Sequence, residues 1–237
     1  MIFLLFFLCF LPLCIWGGYC LYARFLAVKS VIQCFLAGLA AVVAAIGIRL
    51  LLEAMLPEIG GVPIWSSVNA TGIRSIEYYI LSAFIGAGLI EELAKFAILC
   101  FLPGVRTKTD VHFDKRGVFS AAVIVGLSFS AFENLGYAIR SPDLLPVRTL
   151  AIVPLHASLT LLAAGGIREN RISIQYIFSA IVIHGIFDLC MKLSGPFVWL
   201  ALVIDGGTLL LAVGLWRRAG REKVGNDSDN QPGSGIF

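Results

Sequence analysis

The side chains able to do chemistry in this sequence sit inside long apolar runs. Glu91, Glu92 and Lys95 share one run, Glu133 and Asn134 the next, His156 a third, and His184 with Asp188 a fourth, while Asp205 lies in a fifth. Two of the chain's three histidines belong to this set. An ionisable group at the centre of a membrane helix costs about 2.5–3.5 kcal/mol on insertion scales, so such groups are rare there and generally functional.

Spacing narrows the chemistry. Lys95 is four residues from Glu91 and three from Glu92, so on a helix it reaches either carboxylate. Two adjacent glutamates in a low dielectric resist ionising together unless Lys95 or a cation offsets them, and such an environment suits a general base. His184 and Asp188 are four apart on one helix face, where the carboxylate can orient the imidazole and fix its tautomer. No serine or cysteine stands beside a histidine in a way that suggests a covalent nucleophile.

The elements that must position these groups are set by composition. Of 237 residues, 59% are hydrophobic and 14% charged, with a mean hydropathy of +0.91. Soluble domains run nearer half apolar and about a quarter charged. Seven runs are long enough to cross a bilayer that needs about 20 residues per helix: 2–22, 31–56, 76–102, 117–139, 149–167, 174–193 and 196–216. The expected fold class is all-α, a polytopic membrane helical bundle of about seven transmembrane helices. It forms one domain over 1–216, with a catalytic core near 76–193 and a tail at 217–237 that is basic, then disordered. The run 2–22 lacks a basic stretch and exceeds a signal-peptide core, so it is expected to remain as an anchor.

Loop charge gives the orientation. Arg24, Lys29, Arg106, Lys108, Lys115, Arg116, Arg168, Arg171, Arg217, Arg218, Arg221 and Lys223 fall on one side, and Arg74, Arg140, Arg148 and Lys192 on the other. Twelve against four predicts an N-terminus outside and a C-terminus in the cytoplasm. At about 1.5 Å per residue, Glu133, His156 and His184 then lie roughly 9–14 Å below the outer edge of their spans, whereas Glu91 lies about 20 Å down. That mismatch calls for a later start to the third helix or for a tall site. Gly86, Gly88 and Gly126, with Ser128, Ser130, Ala87 and Ala131, allow helices to approach closely around the cluster.

Other features are quieter. The basic residues form no stripe and no stacking platform, which excludes nucleic acid as a partner. The six cysteines lie in or beside apolar runs without a CxxC pair and read as small buried hydrophobes. Arg49 and Glu53 read as a local ion pair, His112 with Asp110 and Asp114 as a solvated loop cluster, and Asp205 as a residue outside the site.

Three motifs stand in order along the chain: Glu91-Glu92-Leu93-Ala94-Lys95 as EExxK, Phe129 to Asn134 as FxxxEN, and His184 to Asp188 as HxxxD. Between the last two lies the histidine-bearing run Pro154-Leu155-His156-Ala157-Ser158-Leu159-Thr160. Together, over about 76–193, they resemble the PrsW family of intramembrane proteases, relatives of the type II CAAX-processing (Rce1-like) and bacteriocin-processing membrane peptidases. The resemblance implies a polar pocket that cleaves a membrane-spanning protein substrate, with site-1 cleavage of an anti-sigma factor from outside as its named example. It implies location in a cell membrane, as a multi-pass protein of the prokaryotic cytoplasmic membrane.

The expected catalytic residues are Glu91, Glu92, Glu133, His156, His184 and Asp188, supported by Lys95, Asn134 and Phe129. Glu91 or Glu92, helped by His156, takes a proton from the attacking water. His184, oriented by Asp188, stabilises the oxyanion, with Asn134 as a further donor. Glu133 holds a histidine or shares the base role, and Lys95 balances the glutamate pair. A variant places Zn²⁺ among the Glu and His side chains with one position open for water. No HExxH is present, and the metal-independent route is the preferred reading. Two rival classes use the same cluster, a proton-coupled transporter and a non-catalytic membrane scaffold. Oligomeric state is left open.

Overall fold

Lipid offers a backbone no hydrogen-bond partner, so apolar runs of this length close their own bonds as helices. The computed structural model describes residues 2–55, 58–59, 62–63, 76–105, 113–140, 142–168 and 171–229. His112, Asp110, Arg74, Arg106, Lys108, the Gly60-Gly61 pair and residues 230–237 lie outside the described residues. Helices α1 (Ile2–Tyr22) and α2 (Val28–Met55) precede a third helical stretch in three parts. These are α3 (Ile76–Leu81), a π-helix (Ser82–Leu89) and α4 (Ile90–Phe101). Beyond them come α5 (Lys115–Arg140), α6 (Leu145–Ala164), α7 (Ile174–Leu193) and α8 (Phe197–Asp229). Two antiparallel two-residue hairpins, Glu58–Ile59 with Val62–Pro63 and Ile167–Arg168 with Arg171–Ile172, are the described strands.

Five of these helices are long and apolar enough to cross a membrane: Val28–Met55, Lys115–Ile139, Leu145–Ala164, Ile174–Leu193 and Phe197–Arg221. The chain is a multi-pass membrane protein of all-helical bundle architecture. Its third stretch is not the single α-helix expected over 76–102, because the π segment divides it. Nor does regular structure stop at Arg217, since α8 carries the basic Arg217, Arg218 and Arg221 on to Asp229.

Local sequence sets several helix ends. The Asp114 carboxylate accepts a bond from the Gly117 amide at 2.7 Å, capping the start of α5. Leu102 precedes proline, which forces it extended (φ −65°, ψ 133°) and ends α4. In the bundle α5 is the axis: 78% of its apolar window is buried, against 22% for α8, which turns Val203 and Leu210 toward lipid. Lipid is as apolar as leucine, so close packing and interhelical hydrogen bonds hold such helices together. Ser128 Oγ donates to the Phe35 carbonyl at 2.7 Å, joining α5 to α2. At Gly126 a Cβ would stand 2.5 Å from the His156 carbonyl and 2.9 Å from the Ala157 Cα, so only glycine allows α6 to lie this close.

Candidate active site

The π segment changes the course of the third stretch just before Glu91. A π-helix closes i→i+5 bonds and packs more residues into each turn than an α-helix. Eight residues in that form shorten the stretch and rotate α4 about its axis. Gly88 makes the same point in packing: a Cβ there would meet the Ile181 carbonyl at 2.7 Å and the Gly185 amide at 3.2 Å. Gly185 in turn has no room for a side chain against Phe84. The π segment therefore lies directly on α7, bringing the start of α4 beside His184.

Ligand atoms of Glu91, His156 and His184 consequently lie within 4.8 Å of one another. Around them runs a connected set of bonds. Lys95 Nζ is 2.6 Å from Glu92 Oε1 and 2.8 Å from His156 Nδ1. His184 Nδ1 is 2.7 Å from the same glutamate oxygen. His156 Nε2 is 3.0 Å from Glu133 Oε2. Glu92 and Lys95 are both 0% exposed and His156 and His184 nearly so. Phe129 walls the group, its ring centroid 4.7 Å from Lys95 Nζ and 5.1 Å from the His156 ring.

Donor chemistry assigns the tautomers. A carboxylate only accepts, so His184 carries its proton on Nδ1, leaving the Nε2 lone pair toward the cluster. An ammonium only donates, so His156 accepts on Nδ1 and donates from Nε2 to Glu133. Lys95 and His184 both meet Glu92 at Oε1, whereas Glu92 Oε2 is buried without a hydrogen-bond partner among the described residues.

Some expectations change. Glu92, not Asp188, is the close partner of His184: Asp188 stands 3.9 Å from His184 Nε2, too far for a hydrogen bond, and meets Lys192 at 3.1 Å. Asn134 is held through Oδ1, which accepts from Arg148 Nε at 2.9 Å, and its donor Nδ2 is buried without a hydrogen-bond partner among the described residues. Arg148, a loop charge by its place in the sequence, sits instead in the first turns of α6. There Arg148 Nη2 pairs with Glu133 Oε1 at 2.7 Å and the guanidinium covers the Tyr137 ring at 3.5 Å. Its position at the head of an apolar run, just after Pro146, is the signal that could have found it. Asp205 stays apart on α8, buried, with Oδ1 unpartnered among the described residues. Arg49 and Glu53 form the expected pair at 3.0 Å.

Two imidazoles and a carboxylate with one position left open are the donor set of a catalytic zinc site. The fit holds here on two observations. Glu91 Oε2 is a buried carboxylate oxygen without a hydrogen-bond partner among the described residues, and the bond to Glu92 engages His184 at Nδ1, not at Nε2. His156 would contribute its Nε2 after losing that proton, with Nδ1 taking a proton from Lys95, so that one proton leaves when a metal binds.

Carboxylates and imidazoles gathered from α4, α5, α6 and α7 of a membrane bundle form a candidate hydrolytic centre. Residues 27–215 match the PrsW family of intramembrane metalloproteases, and the chain belongs to that family. It is therefore a membrane peptidase, a hydrolase, and the transporter and scaffold readings give way. No curated protein and no solved structure matches the chain.

Proposed function

We propose that the chain is an intramembrane endopeptidase in which Glu91, His156 and His184 hold a divalent metal, zinc being the ion that best suits this donor set. The convergence of their ligand atoms within 4.8 Å carries the reading, and it replaces the metal-independent route. A bound zinc supplies a Lewis acid for the scissile carbonyl and lowers the pKa of water.

The chain's own residues do the rest. Glu133, released from His156 and held by Arg148 at 2.7 Å, takes the proton of the attacking water on Oε2. Glu92 holds the His184 Nδ1 proton so that Nε2 faces the reacting centre. Lys95 bridges Glu92 Oε1 and His156 Nδ1 and fixes the orientation of that imidazole. The Asn134 amide, buried and unpartnered at Nδ2 among the described residues, is a donor for the developing oxyanion. Asp188 acts at the margin, with Lys192. Glu91 is thus assigned as a ligand rather than a base.

The positive-inside bias supports seven spans, with the N-terminus outside and a cytoplasmic C-terminus in a prokaryotic membrane, and puts Glu133, His156 and His184 nearer the outer surface. A membrane-spanning protein cut near that surface, such as an anti-sigma factor at its first site, suits this placement. The test is co-expression with tagged single-span substrates, together with metal analysis of the purified protein. A truncated product should appear with the wild type and vanish with Glu91→Ala, with chelator and with His184→Ala. Cleavage at the wild-type rate in those variants sinks the proposal.

A further inference from the structure

A cavity of about 350 Å³ opens where the end of α5, the start of α6 and the end of α7 meet, lined by Val147, Arg148, Ala151, Ile152, Asp188 and Met191 among others. Its size is within the range of specific ligand pockets. One of its lining residues pairs with the polar cluster, Arg148 with Glu133 at 2.7 Å, and a second, Asp188, stands 3.9 Å from His184 Nε2. The cavity therefore adjoins the site and is separated from it by single side chains. Its walls are mainly apolar, from Val147, Ala151, Ile152 and Met191, whereas its charges are already matched in pairs, Arg148 with Glu133 and Lys192 with Asp188. A charged ligand finds no free counter-charge there. An apolar side chain finds a pocket.

We propose that this cavity is the subsite that receives one large apolar side chain of the substrate beside the scissile bond, and that Val147 and Met191 set its size limit. The subsite rests on the peptidase reading of the centre. The substrate backbone enters past Tyr137 and Lys192, which line the partly exposed rim. Arg148 is a positioning residue shared by both places: it forms part of the wall while its Nε holds Asn134 at 2.9 Å and its Nη2 holds Glu133. Filling the pocket with a correct side chain thus presses on the residue that orients the general base. Ala151 and Ile152 are buried at 2% and 7% and make the floor.

The experiment uses the full-length protein in proteoliposomes with a library of single-span peptides, randomised at six consecutive positions around the outer end of the span. Cleavage sites are read by mass spectrometry for the wild type, Val147→Trp and Met191→Ala. Folding of each variant is checked by its thermal unfolding midpoint. In the wild type one position relative to the cut should be enriched in Leu, Ile, Met or Phe. Val147→Trp narrows the pocket and should shift that position toward Ala, Gly and Ser by about tenfold in relative kcat/KM, the scale of discrimination by an apolar pocket. Met191→Ala should shift it the opposite way, toward Phe and Trp. Glu91-dependent cleavage with the same side-chain preference in all three proteins overturns the subsite and leaves the peptidase reading standing. Absence of any Glu91-dependent cleavage overturns the peptidase reading, and the subsite with it.

Discussion

Lys95 is the residue whose removal tests the centre most directly. It is fully buried, with its ammonium 2.6 Å from Glu92 Oε1 and 2.8 Å from His156 Nδ1. Lys95→Met keeps the volume and the helix propensity but leaves Glu92 as a buried carboxylate held by His184 alone. Breaking a buried ion pair from one side costs about 3–5 kcal/mol, because the remaining charge stays desolvated. Removing both charges, as in Lys95→Met with Glu92→Gln, leaves no orphan and should restore most of that loss. The two single variants and the double variant form a thermodynamic cycle with a coupling energy of about 2 kcal/mol or more. The assay is reversible unfolding in mixed micelles, followed by helical circular dichroism, with cleavage measured in parallel. Stability should return in the double variant while activity does not, since His156 has lost its partner at Nδ1 and His184 the charged acceptor at its own. A Lys95→Met protein within about 1 kcal/mol of the wild type, or two single losses that simply add, would refute the buried pair as the anchor of the centre.

The same contacts yield further expected outcomes. Arg148→Ala frees Glu133 and Asn134 together and should lower kcat by about 10–100-fold with bound metal retained; an unchanged kcat would remove Arg148 from the site. Glu92→Gln should weaken metal affinity by about 10–100-fold through His184, whereas Asp188→Asn should change it by less than about threefold, and equilibrium dialysis against zinc buffers separates the two. Gly88→Ala forces a methyl to within 2.7 Å of the Ile181 carbonyl and should destabilise the bundle by about 1–3 kcal/mol, seen as a lower unfolding midpoint. Chelation of the purified protein should abolish cleavage, and zinc should restore it; activity that survives complete metal removal contradicts the assigned ligand set.

The class of the protein and most members of its centre are legible in the amino-acid order alone. Apolar runs of bilayer length force helices, and an acid or imidazole inside such a run is too costly to be incidental, so Glu91, Glu92, Glu133, His156 and His184 stand out without coordinates. Helical spacing also yields the Glu92–Lys95 pair, a contact made within one turn. Contacts between helices are another matter. Spacing suggests Asp188 for His184 because four residues are about one turn, yet the close partner is Glu92, 92 positions away in the chain. Arg148 looks like an orientation signal in a loop and is the clamp on Glu133, because the start of α6 lies against the end of α5. Regular helical spacing does not anticipate the π segment before Glu91, which lies against α7 at Gly88. The physical reason is common to all three: residue order governs energies within a turn, while the approach of helices is decided by where glycines let backbones meet.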